Sequence, residues 1–301
     1  MKEIRKILLF LLGSAALGAL LAPWLYWGGQ AVFARTGWAF LEGADFPKYF
    51  DRAVLIAALL LLWPTIRSLR IRSRAELGIE RDPRGWRHLA IGFSVAFLCM
   101  AAFGFLLLQL GVYRLKSSPD GLPWNALGKI ALTAITVGVL EEWLFRGVIL
   151  GFFRRALLNW QAVICTSVLF SIVHFLKPPS GELTQVDWLT GFRVLPSCFS
   201  KFAEPMLLLG GFTTLFAVGW VLGWSVLRTR GLWLAIGLHA GWVFGKAGFS
   251  KLTKRSIKDT LPWLGEDMIV GLGALAVVSL TGLLVLAVLS YVDRRSNPSR
   301  R

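Results

Sequence analysis

Charge, cysteine, histidine and asparagine are all scarce in this chain of 301 residues: 17% are charged, three are Cys, three are His, and Asn occurs only at Asn125, Asn159 and Asn297. Cys99, Cys165 and Cys198 stand too far apart for a Cys-x-x-Cys redox couple or a paired metal motif, which leaves them as small buried apolar side chains. The His-Glu-x-x-His zinc signature is missing, and Asn297 to Arg301 contain no Cys that prenylation would need. Internal repeats and low-complexity segments are absent, and no loop is long enough to fold alone. One domain over residues 1–301 is therefore expected.

What the chain has instead is apolar length. Hydrophobic residues make up 55% of it, and runs of about 20 recur, enough to cross a hydrocarbon core about 30 Å thick. The pattern predicts an all-α polytopic membrane protein of about eight spans: Ile7–Trp27, Tyr49–Leu69, Leu89–Val112, Ile130–Phe153, Leu157–Leu176, Met206–Leu227, Gly231–Phe249 and Met268–Val292. The first span follows a basic start and resembles a signal peptide, but it is too long for one and no small-residue cleavage site follows, so it is expected to stay as a helix.

The net charge of +16 does not point to nucleic acid, because the basic residues sit between hydrophobic spans rather than on a soluble face. They fit a positive-inside arrangement with both termini cytoplasmic, the densest inner segment carrying seven Arg between Arg67 and Arg87. Five basic residues from Lys246 to Lys258 would then lie outside. The outer loop Lys177–Pro205, with Trp188, Phe192 and Phe199, suits an interfacial anchor or a gate for substrate entry.

Against this apolar background a few ionisable residues stand out. Glu141, Glu142 and Arg146 fall within one span, and a charge at membrane depth costs about 2.5 to 3.5 kcal/mol on insertion scales, so three together mark a functional site shielded from lipid. Glu142 and Arg146, four residues apart, share a helix face and can pair; Glu141 points about 100° away and is placed to act on a water. His174, one turn after Phe170, and His239, among small residues, lie on two other spans. At 1.5 Å per residue, Glu141 and His239 come to about the same depth, while His174 lies nearer the outer surface. The expected chemistry is general-base activation of a water by Glu141. Alternatives are a zinc site built from the same carboxylates and imidazoles, a proton or ion pathway, and packing alone.

Glu-Glu-x-x-x-Arg at Glu141, Glu142 and Arg146, Phe-x-x-x-His at Phe170 and His174, and a later intramembrane His at His239 together resemble the CPBP intramembrane proteases, which include the type II CAAX prenyl endopeptidases. The motif core spans about residues 130–249. The resemblance implies that Glu141, assisted by His174, activates water, that His239 stabilises the oxyanion, that Glu142 and Arg146 support the site, and that no cofactor is needed. It also implies a membrane-associated peptide or protein substrate and residence in a bacterial plasma membrane. One departure stands out: the family usually has Asn or another polar residue four positions after this His, and here it is Val243. Trp242, three residues after His239, is the candidate replacement donor through its indole N–H. A catalytically impaired scaffold or bacteriocin self-immunity protein is the corresponding alternative.

Overall fold

The structure is a computed structural model describing residues 2–37, 45–68, 80, 82–116, 124–176, 178, 185–257, 260–265 and 267–296. In chain order its elements are α1 (Lys2–Thr36), α2 (Phe46–Ser68), α3 (Gly85–Gln109), β1 (Tyr113–Leu115), α4 (Trp124–Glu142), α5 (Leu150–Ala156), α6 (Asn159–Phe175), α7 (Thr190–Val194), α8 (Pro205–Leu207), α9 (Thr213–Thr229), α10 (Trp233–Leu252), β2 (Thr253–Arg255) and α11 (Leu272–Ser296). Two π-helical stretches, Trp143–Ile149 and Leu208–Phe212, join α4 to α5 and α8 to α9, and a 3₁₀ stretch, Pro196–Ala203, follows α7.

Among the described residues five helices are long and apolar enough to cross a membrane by length and composition: Arg5–Thr36, Phe46–Ser68, Gly85–Gln109, Pro205–Thr229 and Leu272–Arg294. The other three expected spans are helical as well. Within the expected span 157–176, Asn159–Phe175 forms a helix of 17 residues, and the remaining two hold Glu141, Glu142, Arg146 and His239, which make them less apolar. Exposed Leu12, Phe105, Leu132 and Leu283 show the apolar outer faces that lipid requires, since backbone polar groups are satisfied inside each helix.

Two of the departures from an even row of α-helices lie in the second unit near the motif-bearing helices. The fourth span widens into a π-helix directly after Glu142, and β1 pairs antiparallel with β2 in a short ladder, Arg114 opposite Lys254, that joins the ends of α3 and α10. Neither feature has a hydropathy signature. Of the expected loops, residues 69–79 and 81, Lys177, 179–184, Lys258 and 297–301 lie outside the described residues.

The chain divides into two compact units. The first, Met1–Ser73 with Ile172–Glu204, is built on α1 and α2. Ala19 and Ala22 meet Phe46, Phe50, Ala53 and Cys198 in its core, and a Cβ on Gly18 would come within 2.6 Å of Val54, so glycine is what lets these helices approach. Here α7 packs on α1, its Gly191 so close to the Ala19 carbonyl that no side chain fits. In the turn that leads into α7 the Asp187 N–H donates to Thr190 Oγ1, which in turn donates to Asp187 Oδ1, while Trp188, Phe192 and Phe199 project from the surface. Desolvation pushes the Cys198 thiol up to about 11. That fits the apolar filler role read from the sequence.

The second unit, Arg74–Ser171 with Pro205–Arg301, holds the Glu-Glu-x-x-x-Arg motif. Its most extensive helix contact is α3 on α10. Gly237, Gly241 and Gly245, spaced by four, form a stripe on α10: a side chain on Gly237 would collide with the Leu89 carbonyl, and a Cβ on Gly241 would sit 2.6 Å from the Phe93 carbonyl. Gly92 returns the approach from α3, where a Cβ would sit 2.6 Å from the Leu234 carbonyl. This small-residue seam fixes the height and rotation of α10, and with them His239.

Candidate functional site

The site of the second unit begins with two buried charges. Glu142 and Arg146 are both 0% exposed, and Arg146 Nη1 donates to Glu142 Oε1 at 2.8 Å. Neither is affordable alone at that depth; together, and hydrogen-bonded, they offset much of each other's desolvation. Arg146 lies in the π-helical stretch, a distortion that recurs at functional sites because it re-aims side chains. Its guanidinium is held from two further sides: Nη2 reaches the Gly219 carbonyl on α9 at 3.4 Å, and Cζ stands 4.5 Å from the centre of the Phe170 ring on α6. Phe145 meets the same ring edge-on at 5.1 Å.

The Gly219 carbonyl and Phe145 were not among the residues singled out from sequence. Gly219 and Gly223, four apart on α9, were the available signal. Close packing there sets Gly219 2.8 Å (for a Cβ) from the Ser167 backbone. The hydroxyls of Thr166, Ser167 and Ser171 on α6 are buried and donate to carbonyls four residues back, so they bring no unmet polarity to the site.

His239 adds what spacing did not show. Its Nδ1 lies 2.7 Å from Glu142 Oε1, the oxygen that also receives Arg146, and its Nε2 lies 3.9 Å from Glu141 Oε2. One imidazole thus stands between the two adjacent carboxylates. An ionised Glu142 only accepts, so Nδ1 carries the proton of that bond, and Nε2 is the nitrogen turned to Glu141. The carboxylates differ sharply in setting: Glu142 is fully enclosed, whereas the Glu141 side chain is 21% exposed. The ring of Phe170 borders His239 edge-on at 6.3 Å.

Glu141, Glu142, Arg146, Phe170 and His239 therefore converge. His174 is on α6 one turn beyond Phe170, half-buried, and belongs to the first unit. Trp242 is buried in the hydrophobic core of α10 and α3 with Ala96, Met100 and Leu238, and among the described residues its indole nitrogen has no hydrogen-bond partner. Val243 is half-buried and offers no donor.

Zinc needs three or four converging ligand atoms. Among the described residues no group of three His, Cys, Asp or Glu is arranged to hold a metal ion, and the Glu142 oxygen nearest His239 is already shared with a guanidinium. The donor set described does not fit that ion.

The family model for type II CAAX prenyl endopeptidase, Rce1-like, matches residues 123–245, a stretch that contains every member of this cluster as well as His174, Trp242 and Val243. Over that region the chain is similar to this family, in agreement with the CPBP resemblance of its motifs. The match supports, at family level only, a CAAX-type intramembrane protease, and the apolar helices support an integral membrane protein. A comparison with curated proteins gives no match.

Proposed function

We propose that the chain is an intramembrane endopeptidase of the CAAX prenyl protease type, with Glu141 as the base that activates water. The observation that carries this reading is the unequal pair: one carboxylate sealed against Arg146, the next partly open and facing His239 Nε2 at 3.9 Å. A sealed, doubly hydrogen-bonded Glu142 is a support, not a proton acceptor; Glu141 is the group that a water and a substrate can reach.

In this reading Glu141 takes a proton from water as the oxygen adds to the scissile carbonyl carbon, and the carbonyl electron pair moves to oxygen. His239, when both nitrogens are protonated, donates from Nε2 to that oxyanion while Glu142 holds Nδ1. Collapse breaks the C–N bond, and the proton on Glu141 passes to the leaving amine. By family resemblance His174 assists Glu141. Trp242 contributes the second donor where Val243 cannot, a role its unpartnered indole N–H supports. The substrate is a membrane-associated peptide or protein, the location a bacterial plasma membrane with both termini cytoplasmic, and no nucleic acid takes part.

The test is hydrolysis of prenylated and unprenylated peptides by purified protein in detergent. Glu141→Gln should lose about 100-fold or more of the rate while keeping its thermal stability. A folded Glu141→Gln protein with wild-type activity would remove Glu141 from the chemistry. Val243 favours a second reading, a membrane scaffold or bacteriocin self-immunity protein that retains the fold; it requires the wild type itself to cleave none of the peptides.

A further inference from the structure

Away from the carboxylates, the second unit has a polar cavity of about 380 Å³ lined by Glu80, Arg154, Asn159, Val226, Leu227 and Arg230. It opens where α5 ends, α6 begins and α9 ends. Arg154 Nε donates to Asn159 Oδ1 at 3.0 Å, and among the described residues Arg154 has no carboxylate partner. That one bond leaves the two terminal NH₂ groups of the guanidinium for another acceptor, and it leaves the Asn159 amide NH₂ as a donor as well. Arg230, across the cavity, meets Glu80 only at 3.5 Å with both side chains largely exposed, a weak pair. By contrast, neighbouring Arg228 is tied to Asp293 at 2.6 Å. Two arginines against one loosely engaged carboxylate give the lining a surplus positive charge, and the first turn of α6, starting at Asn159, adds its N–H groups and the positive end of the helix dipole.

The flanking residues fix the level. Leu158 and Trp160, on either side of Asn159, are 63% and 56% exposed, an apolar and an aromatic side chain of the kind found at the lipid–water boundary. A cavity with planar bidentate donors at that level matches a phosphate ester better than a carboxylate in bulk water, because three or more acceptor oxygens can meet two guanidinium forks and an amide at once. Basic pockets between helix ends are a recurring means of holding anionic headgroups.

We infer that this Arg154–Asn159–Arg230 cavity binds a phosphate group, supplied by an anionic membrane lipid or by free phosphate. It stands apart from the Glu141–His239 cluster and does not depend on peptidase activity.

The experiment uses the full chain in nanodiscs of phosphatidylcholine containing phosphatidylglycerol, with lipids retained after gentle extraction counted by native mass spectrometry. Wild type should retain phosphatidylglycerol in preference to phosphatidylcholine, and Arg154→Gln/Arg230→Gln should lose about tenfold of that preference. Glu80→Gln, which releases Arg230, should raise it; this gain-of-binding variant keeps the test decisive if the double variant folds poorly. Displacement of the lipid by millimolar inorganic phosphate assigns the cavity to the phosphate group itself, and retention through that titration assigns it to the lipid headgroup. Equal retention in wild type, the double variant and Glu80→Gln would overturn the inference.

Discussion

Replacing Arg146 by Met tests how this protein keeps charge inside the bilayer. Arg146 and Glu142 are both fully buried, joined at 2.8 Å, and the guanidinium also touches the Gly219 carbonyl and the Phe170 ring. Removing the cation leaves Glu142 enclosed with, among the described residues, only His239 as a partner. Breaking a buried pair from one side costs about 3–5 kcal/mol, because the surviving charge is uncompensated. At about 2–4 °C per kcal/mol for a chain approaching this size, the melting temperature should fall by roughly 10 °C. The double variant Glu142→Leu/Arg146→Met removes both charges, and should recover to within about 2 kcal/mol of wild type, the residue being the lost His239 bond. Thermal unfolding in mild detergent, followed by the fluorescence of the 14 tryptophans, measures all four corners of the cycle. A double variant as unstable as the sum of the two single ones would refute compensation as the reason this pair exists. The double variant should be stable and without peptidase activity, which separates folding from chemistry.

Trp242→Phe removes an indole N–H that has no protein partner among the described residues, so stability should hold while peptide hydrolysis drops about 100-fold; an unchanged rate leaves the residue with packing alone. Gly237→Ala should lower the melting temperature and the hydrolysis rate together, by about 1–3 kcal/mol in stability, because its side chain would meet the Leu89 carbonyl and push α10, carrying His239, off α3; a wild-type melting curve would contradict the seam described. Cys198, with its thiol pushed up to about 11, should resist alkylation at pH 8 in the folded protein and react readily once unfolded, as peptide mapping by mass spectrometry would show; fast labelling in the native state would contradict its burial.

The polar residues that converge in the second unit were legible because hydropathy is a local property. Glu141, Glu142, Arg146 and His239 interrupt long apolar runs, and a charge in such a run is expensive wherever the helix is later packed. The Glu142–Arg146 contact was equally local, since one helical turn brings the two side chains together whether the turn is α or slightly wider. By the same logic most helical spans could be read within a few residues, although the first helix runs on from the expected Trp27 to Thr36 and the fourth begins at Trp124 rather than Ile130, whereas the π-helical widening after Glu142 and the ladder of Tyr113–Leu115 with Thr253–Arg255 could not be read, because backbone hydrogen-bond choices at helix junctions leave no mark on hydropathy.

Amino-acid order alone determined that this is a helical membrane protein whose few embedded charges cluster in one motif region, because solvation cost is attached to each side chain before any fold exists. Only tertiary structure decided which nitrogen of His239 faces which carboxylate, that Glu142 is enclosed while Glu141 keeps an open edge, and that Phe170 and the Gly219 carbonyl brace Arg146. Those relations depend on how deeply α3 and α10 interlock along their glycines and how α9 closes on α6, and an imidazole's rotation is set by such contacts between helices, not by its place in the chain.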